Sequence, residues 1–256
     1  MRIASWNVNS LRARMLHLQT WVESAAPDVV ALQETKVQDH DFPAAELHAL
    51  GYQCAFSGQK SYNGVAVMAR AAPAVFASGI PKLDDYQARV LGVTVGDLRI
   101  VNLYVPNGSE VGSEKYEYKL RWLDALIEWL EALLEDNQPL LVVGDFNIAP
   151  TDDDVHDADA WRGRILCSEP ERERLGKLHA VGLQDCFRDF NSADDEFSWW
   201  DYRAGSFRRN QGLRIDLILA NAAGRERLSG CWIDREPRSW DKPSDHAPVI
   251  AEMDVS

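Results

Sequence analysis

Cysteine is scarce in this chain, and the few cysteines present are scattered. Cys54, Cys167, Cys186 and Cys231 form neither a CxxC pair nor a metal-finger spacing. Zinc sites and small disulfide frameworks depend on such spacings, so neither is favoured. We expect reduced thiols, most of them packed inside the protein.

Long apolar runs are also absent. No run approaches the roughly 20 residues that cross a bilayer, and the segment Met1–Asn7 has no apolar signal-peptide core. We therefore expect a soluble, cytoplasmic protein with no membrane partner. No Gly/Ser/Pro-rich linker divides the 256 residues, which predicts a single domain over 1–256. A monomer is the default expectation for this size.

Positive charge is in deficit. The 27 Lys and Arg residues face 40 Asp and Glu residues, which gives a formal net charge of −13. A phosphate-binding surface must be locally positive, so indiscriminate binding to a polyanion is disfavoured. Basic residues do crowd two segments, and we expect a narrow basic track whose DNA binding is strongly weakened by salt. These residues are Arg203, Arg208, Arg209 and Arg214 in one segment, and Arg162, Arg164, Arg172, Arg174 and Lys177 in the other.

Short β-rich runs separated by turn residues fill most of the sequence, and three stretches have a helical period instead. The first helix is predicted over 11–22, the second over 116–134, and a shorter third over 169–180. These helices fall between groups of strands rather than after every strand. The pattern favours two packed sheets with helices on their outer faces.

Polar motifs stand at the ends of the apolar runs. Carboxylates, amides, a phenol and an imidazole are therefore predicted to gather at one edge of a sheet-built core. Any one motif is a weak signal, but six in a fixed order are specific. The motifs are Trp6-Asn7-Val8-Asn9, Gln33-Glu34-Thr35-Lys36, Tyr104-Val105-Pro106-Asn107, Gly144-Asp145-Phe146-Asn147, Leu213-Arg214-Ile215-Asp216 and Ser244-Asp245-His246.

This set resembles the exonuclease III branch of the endonuclease/exonuclease/phosphatase superfamily, the Mg-dependent apurinic/apyrimidinic (AP) endonucleases. The stretches 62–66 and 199–216 are similar to that branch in particular. The resemblance implies a DNase I-like four-layer α/β sandwich, with two mainly antiparallel sheets flanked by helices. It also implies Mg²⁺ as cofactor, with Mn²⁺ as an alternative. The implied partner is double-stranded DNA with AP sites or with blocked or recessed 3′ ends.

Phosphodiester cleavage needs an activated water, charge stabilisation on the phosphate and help for the leaving alkoxide. Glu34 is the best metal ligand, because Mg²⁺ prefers oxygen ligands; a turn cap is the alternative role. By resemblance, the metal site is completed or flanked by Asn7, Asp145, Asn147, Asp245 and His246.

His246 adjoins Asp245, but neighbouring residues on a strand point to opposite faces. Asp216 is therefore the better partner for the imidazole, as the resemblance also implies. His246 would then serve as a general base or as a positive donor to the phosphate, and the sequence leaves both roles open.

Asp145 and Asn147 project to the same face if the chain is extended there. By resemblance, Asp145 acts as acid or base and Asn147 positions the nucleophile or the phosphate. An Asx turn is compatible with that role. Tyr104 is predicted to donate its phenol to a phosphate oxygen, with a buried core tyrosine as the alternative.

Aromatic and apolar residues beside the arginines of 203–214 suit a pocket for an abasic sugar or a terminal nucleotide. We expect at least one tryptophan in the core and another, with Leu213, lining that pocket. Leu166 lies in the loop 161–168, where it would narrow access for a flipped-out abasic sugar. The predicted DNA contacts are Lys36, Arg89, Asn107, Trp199, Trp200, Arg203, Phe207 and Leu213.

Two functions compete. The first is a Mg-dependent DNA repair nuclease with AP endonuclease, 3′–5′ exonuclease and 3′-phosphatase or phosphodiesterase activities. We expect its exonuclease and 3′-repair activities to persist even where internal AP incision is modest. The alternative is a catalytically weak nucleic-acid-binding or regulatory member of the same fold. Such a protein could lose Glu34, Asp145, Asn147 or His246 without unfolding, and the presence of all four favours the enzyme.

Overall fold

The computed structural model describes residues 1–254, and within them the chain forms twelve β-strands and seven α-helices. The strands are β1 Arg2–Asn7, β2 Val29–Gln33, β3 Gln53–Ser57, β4 Val65–Ala69, β5 Ala74–Ser78, β6 Val90–Val95, β7 Leu98–Tyr104, β8 Leu140–Asp145, β9 Gln184–Asp185, β10 Asp216–Ala220, β11 Leu228–Ile233 and β12 Val249–Met253. The helices are α1 Leu11–Ala25, α2 Ala44–Ala49, α3 Glu114–Leu134, α4 Ala158–Trp161, α5 Glu169–Ala180, α6 Cys186–Phe190 and α7 Ala222–Arg225.

The strands form two sheets of six. The first sheet has the order β11-β12-β1-β2-β4-β3, and the second has the order β5-β6-β7-β8-β10-β9. Each sheet contains one parallel pair, β1–β2 or β7–β8, among antiparallel neighbours. Helix α1 connects the first parallel pair and α3 connects the second. Because parallel neighbours run in the same direction, each connection delivers two carboxyl-terminal strand ends side by side.

The inner faces of the two sheets pack against each other. Alternate residues of each strand point inward, so Val29 and Ala31 of β2 share one buried cluster with Ile100 of β7 and Val143 of β8. This cluster forms the apolar core between the two sheets.

A polar bridge crosses the same boundary. Asn102 of β7 donates from Nδ2 to the backbone oxygens of Leu32, at 3.0 Å, and Ala66, at 2.9 Å, in the other sheet. Its Oδ1 accepts a hydrogen bond of 2.7 Å from Nε2 of Gln33. Both Asn102 and Gln33 are fully buried, and the bridge therefore fixes the two sheets to each other by directional contacts.

Helices cover the outer faces. Leu18 and Trp21 of α1 pack with Trp6 over the first sheet, and Leu123 and Leu126 of α3 pack over the second sheet. Each helix presents an apolar stripe inward and charged residues to solvent. The order of layers is helix, sheet, sheet, helix.

Serine side chains fix where the main helices begin. The hydroxyl of Ser10 accepts from the backbone at the start of α1, and that of Ser113 does the same for α3. Ser168 and Glu171 form a reciprocal capping box at the start of α5. These caps satisfy backbone donors that the first helical turn leaves free.

The predicted four-layer α/β sandwich is confirmed, as is its mainly antiparallel pairing. The third predicted helix has the bounds of α5, and the first two extend to Ala25 and back to Glu114 respectively. All four cysteines are unpaired, and only Cys54 is incompletely buried. Within residues 1–254, none of the helices combines the length and apolarity needed to cross a membrane.

Candidate active site

The candidate site lies at the edge where the two parallel pairs end. Asn7 ends β1, and Glu34 directly follows β2. In the second sheet Tyr104 ends β7 opposite Asp145, which ends β8 and is itself opposite Asp216 of β10. Sheet topology therefore gathers these side chains at one edge, as the sequence predicts.

Gly144 is required beside the site by a close approach of two strands. Its φ is 146°, and a Cβ placed on it would lie 1.9 Å from the backbone oxygen of Leu103. A side chain at this position would push β8 away from β7. The glycine therefore sets the position of the next residue, Asp145.

Several polar residues of the site have a left-handed backbone. The φ angles are 44° at Asn9, 50° at Glu34, 54° at Lys36 and 50° at Asn147. Non-glycine residues rarely adopt this region. Each instance costs roughly 1–3 kcal/mol and persists only where surrounding contacts hold the backbone in place. The site is thus built from strained positions that its hydrogen bonds maintain.

Glu34, Asp145 and His246 form a candidate metal centre. Each offers one ligand atom, and these atoms lie within 4.8 Å of one another. Two carboxylates beside an imidazole create an oxygen-rich, negatively charged space, which suits a hard divalent cation. These residues fit a metal of the Mg²⁺ type.

Asn7 bridges the two carboxylates of this centre. Its Nδ2 donates to Oε1 of Glu34 and to Oδ2 of Asp145, both at 2.9 Å. Its Oδ1 accepts a 3.0 Å hydrogen bond from the backbone of Asn9. In this arrangement Asn7 orients the carboxylates with its amide N–H, which fits the expectation, from the family resemblance, that it completes or flanks the metal site.

Asp245 stands apart from the centre. Its Oδ1 accepts from Nδ2 of Asn9 at 2.9 Å, and its Oδ2 accepts from Nε1 of Trp199 at 3.1 Å. Lys36 lies 2.9 Å from Oε2 of Glu34 and donates to Oδ1 of Asn9 at 2.6 Å. Asn9 therefore links Asp245 to Lys36 and, through it, to Glu34. Asp245 therefore flanks the candidate metal centre and is not one of the three residues that form it.

His246 is paired with Asp216, as strand alternation predicts. Nδ1 of His246 donates to Oδ2 of Asp216 at 2.8 Å, and its Nε2 lies 3.7 Å from Oδ2 of Asp145. Ser198 donates from Oγ to the same Asp216 oxygen at 2.7 Å. The imidazole is therefore held between two carboxylates, with one ring nitrogen facing each.

The pKa values of this group are displaced by burial and by charge. Burial raises the pKa of Asp145 to about 7, against the opposing charge of His246. Burial would lower the pKa of His246, but the charges of Asp216 and Asp145 outweigh it and raise that pKa to about 10. Burial also holds the pKa of Tyr104 well above its usual value, aided by Glu34 and Asp145. At neutral pH the imidazole is thus cationic in the metal-free protein, and the Asp145 carboxyl is less acidic than an ordinary aspartate.

Asn147 is fixed in an Asx turn. Its backbone N–H donates to Oδ1 of Asp145 at 2.9 Å, and its Nδ2 donates to the backbone oxygen of Val105 at 3.0 Å. Its Oδ1 accepts from Nδ2 of Asn107 at 3.0 Å. The Asx turn and the functional placement therefore coexist, and Asn107 is tied to the site through Asn147.

Tyr104 and Arg89 lie together at the side of the site. The guanidinium of Arg89 sits 4.7 Å from the centre of the Tyr104 ring and donates to the Tyr104 backbone oxygen at 3.1 Å. A cleft of about 370 Å³ opens next to Arg89 and Asn107 and is also lined by the exposed Tyr62 and Tyr86. A nucleic-acid strand has room to approach here.

The loop 199–213 departs from its predicted role at two positions. Arg203 is exposed, and Trp199 and Phe207 are partly exposed, so all three can meet DNA. Trp200 and Leu213 have no exposed surface, and their side chains cannot touch a duplex in this conformation. The prediction that these two contact DNA is corrected. Trp200 is instead the core tryptophan that the sequence predicts, and its neighbour Trp199 is partly exposed.

Arg214 is the second correction in this segment. It is buried and pairs with Asp154 and Asp185, each at 2.7 Å. It therefore cannot belong to a surface track for phosphates. The exposed arginines left in the segment are Arg203, Arg208 and Arg209.

Three residues of the site carry weak sequence signals. Asn9 is part of the first motif but reads as a helix cap, and Ser198 stands out only through the aromatic residues beside it. Lys119 is fully buried under Asn107 and Asn147. Its position in the sequence does indicate burial, because it lies three residues after Tyr116 and so shares the apolar face of α3.

Comparisons with known proteins agree with this geometry. A family model described as "Endonuclease/Exonuclease/phosphatase family" matches residues 4–246. The chain is 39% identical to exodeoxyribonuclease III of Haemophilus influenzae, over 99% of this chain and 100% of that protein. It is 42% identical to a Neisseria 3′ phosphatase solved with a product DNA hairpin, with a TM-score of 0.96 and full coverage of both chains. An AP endonuclease from Archaeoglobus fulgidus gives 36% identity, a TM-score of 0.96 and full coverage of both chains.

Proposed function

The chain belongs to the endonuclease/exonuclease/phosphatase family, and on that premise we propose that it is a Mg²⁺-dependent DNA repair nuclease. Its substrates are the phosphodiesters at AP sites and at 3′ ends of duplex DNA. The reactions are AP-site incision, 3′–5′ exonuclease cleavage and removal of 3′-blocking phosphates. A relative named AP endonuclease supports the first reaction, one named exodeoxyribonuclease III supports the second, and one named 3′ phosphatase supports the third.

One observation carries the proposal. Glu34 from the first sheet and Asp145 from the second, together with His246, bring their ligand atoms within 4.8 Å of one another. Asn7 and Asp216 hold these groups in place through hydrogen bonds of 2.8–2.9 Å. Burying several charged groups together costs free energy, and such clusters are typical of catalytic sites.

Glu34 and Asp145 would hold the cation, with His246 beside it. A bound divalent cation would supply positive charge to the phosphate oxygens and to the leaving oxygen. Mg²⁺ fits the oxygen-rich centre, and Mn²⁺ shares enough of this ligand preference to be tested beside it.

The charges assign the roles of the proton-handling residues. His246 is cationic at neutral pH because its pKa is raised to about 10, so it acts as a donor to a phosphate oxygen. Burial raises the pKa of Asp145 in the metal-free protein, and a bound cation would lower it again. In the loaded site its carboxylate would therefore be ionised, as a group that accepts the proton of the attacking water must be.

The amides position the reacting groups. The side chain of Asn147 is held by Val105 and Asn107, and these two bonds leave one of its side-chain N–H groups for a reacting group. The phenol of Tyr104 stays protonated at neutral pH and can therefore donate to a phosphate oxygen. Arg203, Lys36 and Arg89 supply positive charge for the flanking phosphates.

Location and assembly follow the predictions from the sequence. We propose a cytoplasmic monomer whose single domain spans the whole chain. Burial of apolar residues between the two sheets in one continuous cluster supports a single domain. The negative net charge of −13 supports selective binding to damaged DNA over indiscriminate binding.

The test is a cleavage assay on labelled duplexes that carry an internal AP-site analogue, a recessed 3′ end or a 3′-phosphate. Wild-type protein is compared with Asp145→Asn and His246→Ala, each with Mg²⁺, with Mn²⁺ and with chelator. Asp97→Asn serves as the matched control, because its side chain is 59% exposed and lies directly before β7, at the end of that strand opposite Tyr104.

We expect activity with divalent cation alone, lost in both site variants and kept in the control. The preferred duplex then identifies the principal reaction. If the wild type binds these duplexes but cleaves none of them, the nuclease proposal is wrong and a regulatory nucleic-acid-binding role replaces it.

A further inference from the structure

Lys119 is a fully buried cation beneath the candidate active site. It lies on α3, its side chain has no exposed surface, and its partner Glu171 on α5 is equally buried. Burying two charges is expensive, and a well-packed apolar pair of similar size is often neutral or more stable. The pair therefore calls for an explanation other than stability.

The contacts of Lys119 supply that explanation. Its Nζ donates to the backbone oxygen of Asn147 at 2.7 Å and to that of Asn107 at 3.2 Å, and its third donor meets Glu171. All three donors of the ammonium are used. The two carbonyls belong to loops that follow different strands, β7 and β8, so a single side chain joins both.

Asn147 needs such support because its backbone is left-handed, with a φ of 50°. A strained backbone persists only where contacts over-determine it. The hydrogen bond from Lys119 acts on the carbonyl of this same residue. Without it, Asn147 could relax toward an ordinary conformation and its amide would turn away from the reacting phosphate.

Glu171 extends the connection to the loop 161–168. Its carboxylate accepts from the backbone of Leu166 at 3.2 Å and from the backbone and hydroxyl of Ser168 at 3.1 and 2.6 Å. Tyr116, one turn before Lys119 on α3, shares a 2.7 Å hydrogen bond with Ser168. The ion pair thus ties α3, α5 and this loop to the two asparagines.

We propose that the Lys119–Glu171 pair is a positioning device that sets the orientation of Asn147 and Asn107 for phosphodiester cleavage. The inference rests on the proposed nuclease function. Lys119 does not touch the substrate; it acts through the two carbonyls. Its loss removes interactions made in the transition state more than interactions that bind the ground state.

The experiment compares two double variants on the duplex that the wild type cleaves best. Lys119→Met/Glu171→Leu replaces the buried pair by apolar residues. Arg99→Met/Asp136→Leu is the matched control, because it removes another ion pair that connects β7 to the segment after α3, at the end of β7 opposite Tyr104. Thermal unfolding, KM and kcat are measured for both.

For Lys119→Met/Glu171→Leu we expect a folded protein with a lower Tm, because the backbone groups that the pair contacts lose their partners. We also expect a kcat about 10- to 100-fold lower, with KM changed by less than about threefold. The side-chain amide signal of Asn147 in NMR should shift in the metal-free protein. This measurement reports the orientation of Asn147 independently of catalysis. The control variant should lose stability but keep its kcat and the Asn147 signal.

A kcat close to that of the wild type in the folded double variant, with an unmoved Asn147 signal, overturns the inference. If that variant does not fold, Lys119→Gln/Glu171→Gln takes its place, because it keeps polar atoms without charge, and the same two results decide. A wild type that cleaves no duplex refutes the proposed function instead, whereas the NMR shift still tests the positioning of Asn147.

Discussion

Nδ1 of His246 donates a 2.8 Å hydrogen bond to Oδ2 of Asp216, which lies thirty residues earlier in the chain. The adjacent Asp245 does not make this contact; its carboxylate is held by Asn9 and Trp199. The pairing fixes one tautomer of the imidazole and directs its other nitrogen to Asp145. The charge of His246, on which its proposed role depends, rests largely on this contact.

The Asp216→Asn variant should therefore lower the pKa of His246. Burial alone lowers that pKa, and the Asp216 charge is the largest influence that raises it. Wild-type His246 should titrate near pH 10 in metal-free protein, and the variant should titrate at a lower pH. NMR titration of the imidazole measures this. Unchanged titration would show that Asp145 and Asp245 keep the imidazole charged without Asp216.

The same variant should lose activity at neutral pH. Without the hydrogen bond to Asp216 the imidazole is no longer held in one orientation, and misplacement of a reacting group can cost about 10²-fold in rate. The kcat on the preferred duplex measures the loss, with Asp189→Asn as control. Asp189 pairs with Arg225 on a remote surface, and its variant should cleave like the wild type.

Lys36 should compete with the metal. Its ammonium lies 2.9 Å from Oε2 of Glu34, so it repels a second cation at the same carboxylate. Lys36→Met should tighten Mg²⁺ binding by about 3- to 10-fold, which corresponds to roughly 1 kcal/mol for a pair near the surface. It should also weaken DNA binding, because a phosphate contact is lost.

Calorimetric titration of the DNA-free protein with Mg²⁺ measures the first effect. Lys177→Met provides the control, since Lys177 is exposed on α5. Equal or weaker Mg²⁺ affinity in Lys36→Met would mean that the lysine has no repulsive influence on the site.

Asp154 should make the folded protein sensitive to acid. Burial acts to raise its pKa, but Arg214 and Arg188 outweigh burial and hold that pKa below its ordinary value of 3.8. The carboxylate therefore stabilises the fold above pH 3.8, and this contribution is lost as the pH falls through the lower folded pKa.

Asp154→Asn should lower the free energy of unfolding at pH 7 by about 1–3 kcal/mol, because the buried Arg214 keeps only Asp185 as a carboxylate partner and the partly exposed Arg188 loses its partner. Urea unfolding from pH 7 to pH 3 should show the difference from the wild type shrinking at the acid end. The control Asp159→Asn breaks an exposed pair with Arg162, which is worth about 0–1 kcal/mol. A difference that is constant with pH would contradict the electrostatic explanation.

Leu166 should influence which lesion is cut. It is buried, its backbone is left-handed with a φ of 72°, and it packs in one cluster with Leu213, against which Trp199 lies. Leu166→Gly relieves about 1–2 kcal/mol of backbone strain but removes a buried side chain worth about 2–5 kcal/mol. The net result should be a modest loss of stability and more space beside Trp199.

The ratio of internal AP-site incision to 3′–5′ exonuclease cleavage should therefore rise in Leu166→Gly, measured on the matched duplexes. The control is Leu166→Ala, which opens less space at the same position. An unchanged ratio in both variants would show that Leu166 does not restrict the sugar pocket.

Much of this structure could be predicted from residue patterns, because the signals are local. Period-two alternation separates Asp245 from His246, and it identifies Asp216 as the partner. Apolar stripes with serine caps give α1, α3 and α5. Gly144 and Asp145 follow one apolar run, and the strand ends at Asp145, inside the motif.

What could not be predicted depends on contacts between distant segments. Lys119 looks like a charged interruption of an apolar stripe until Glu171, far along the chain, is placed against it. Trp199 and Trp200 are adjacent, and only the loop packing decides which of them is buried. Arg214 joins a basic segment in sequence but turns inward to Asp154. Strand β5 is exposed along most of its length, so it has no buried face to create an alternating pattern.

The bridge between Gln33 and Asn102 has a mechanical consequence for this enzyme. Gln33 directly precedes Glu34, and Asn102 lies two residues before Tyr104, which is aligned with Asp145. Apolar contact between the sheets has no preferred direction and resists sliding less than hydrogen bonds do. The hydrogen bonds of Gln33 and Asn102 are directional and lie directly beneath the carboxylates. They therefore keep the two sheets, and with them the two halves of the metal centre, in one alignment during thermal motion.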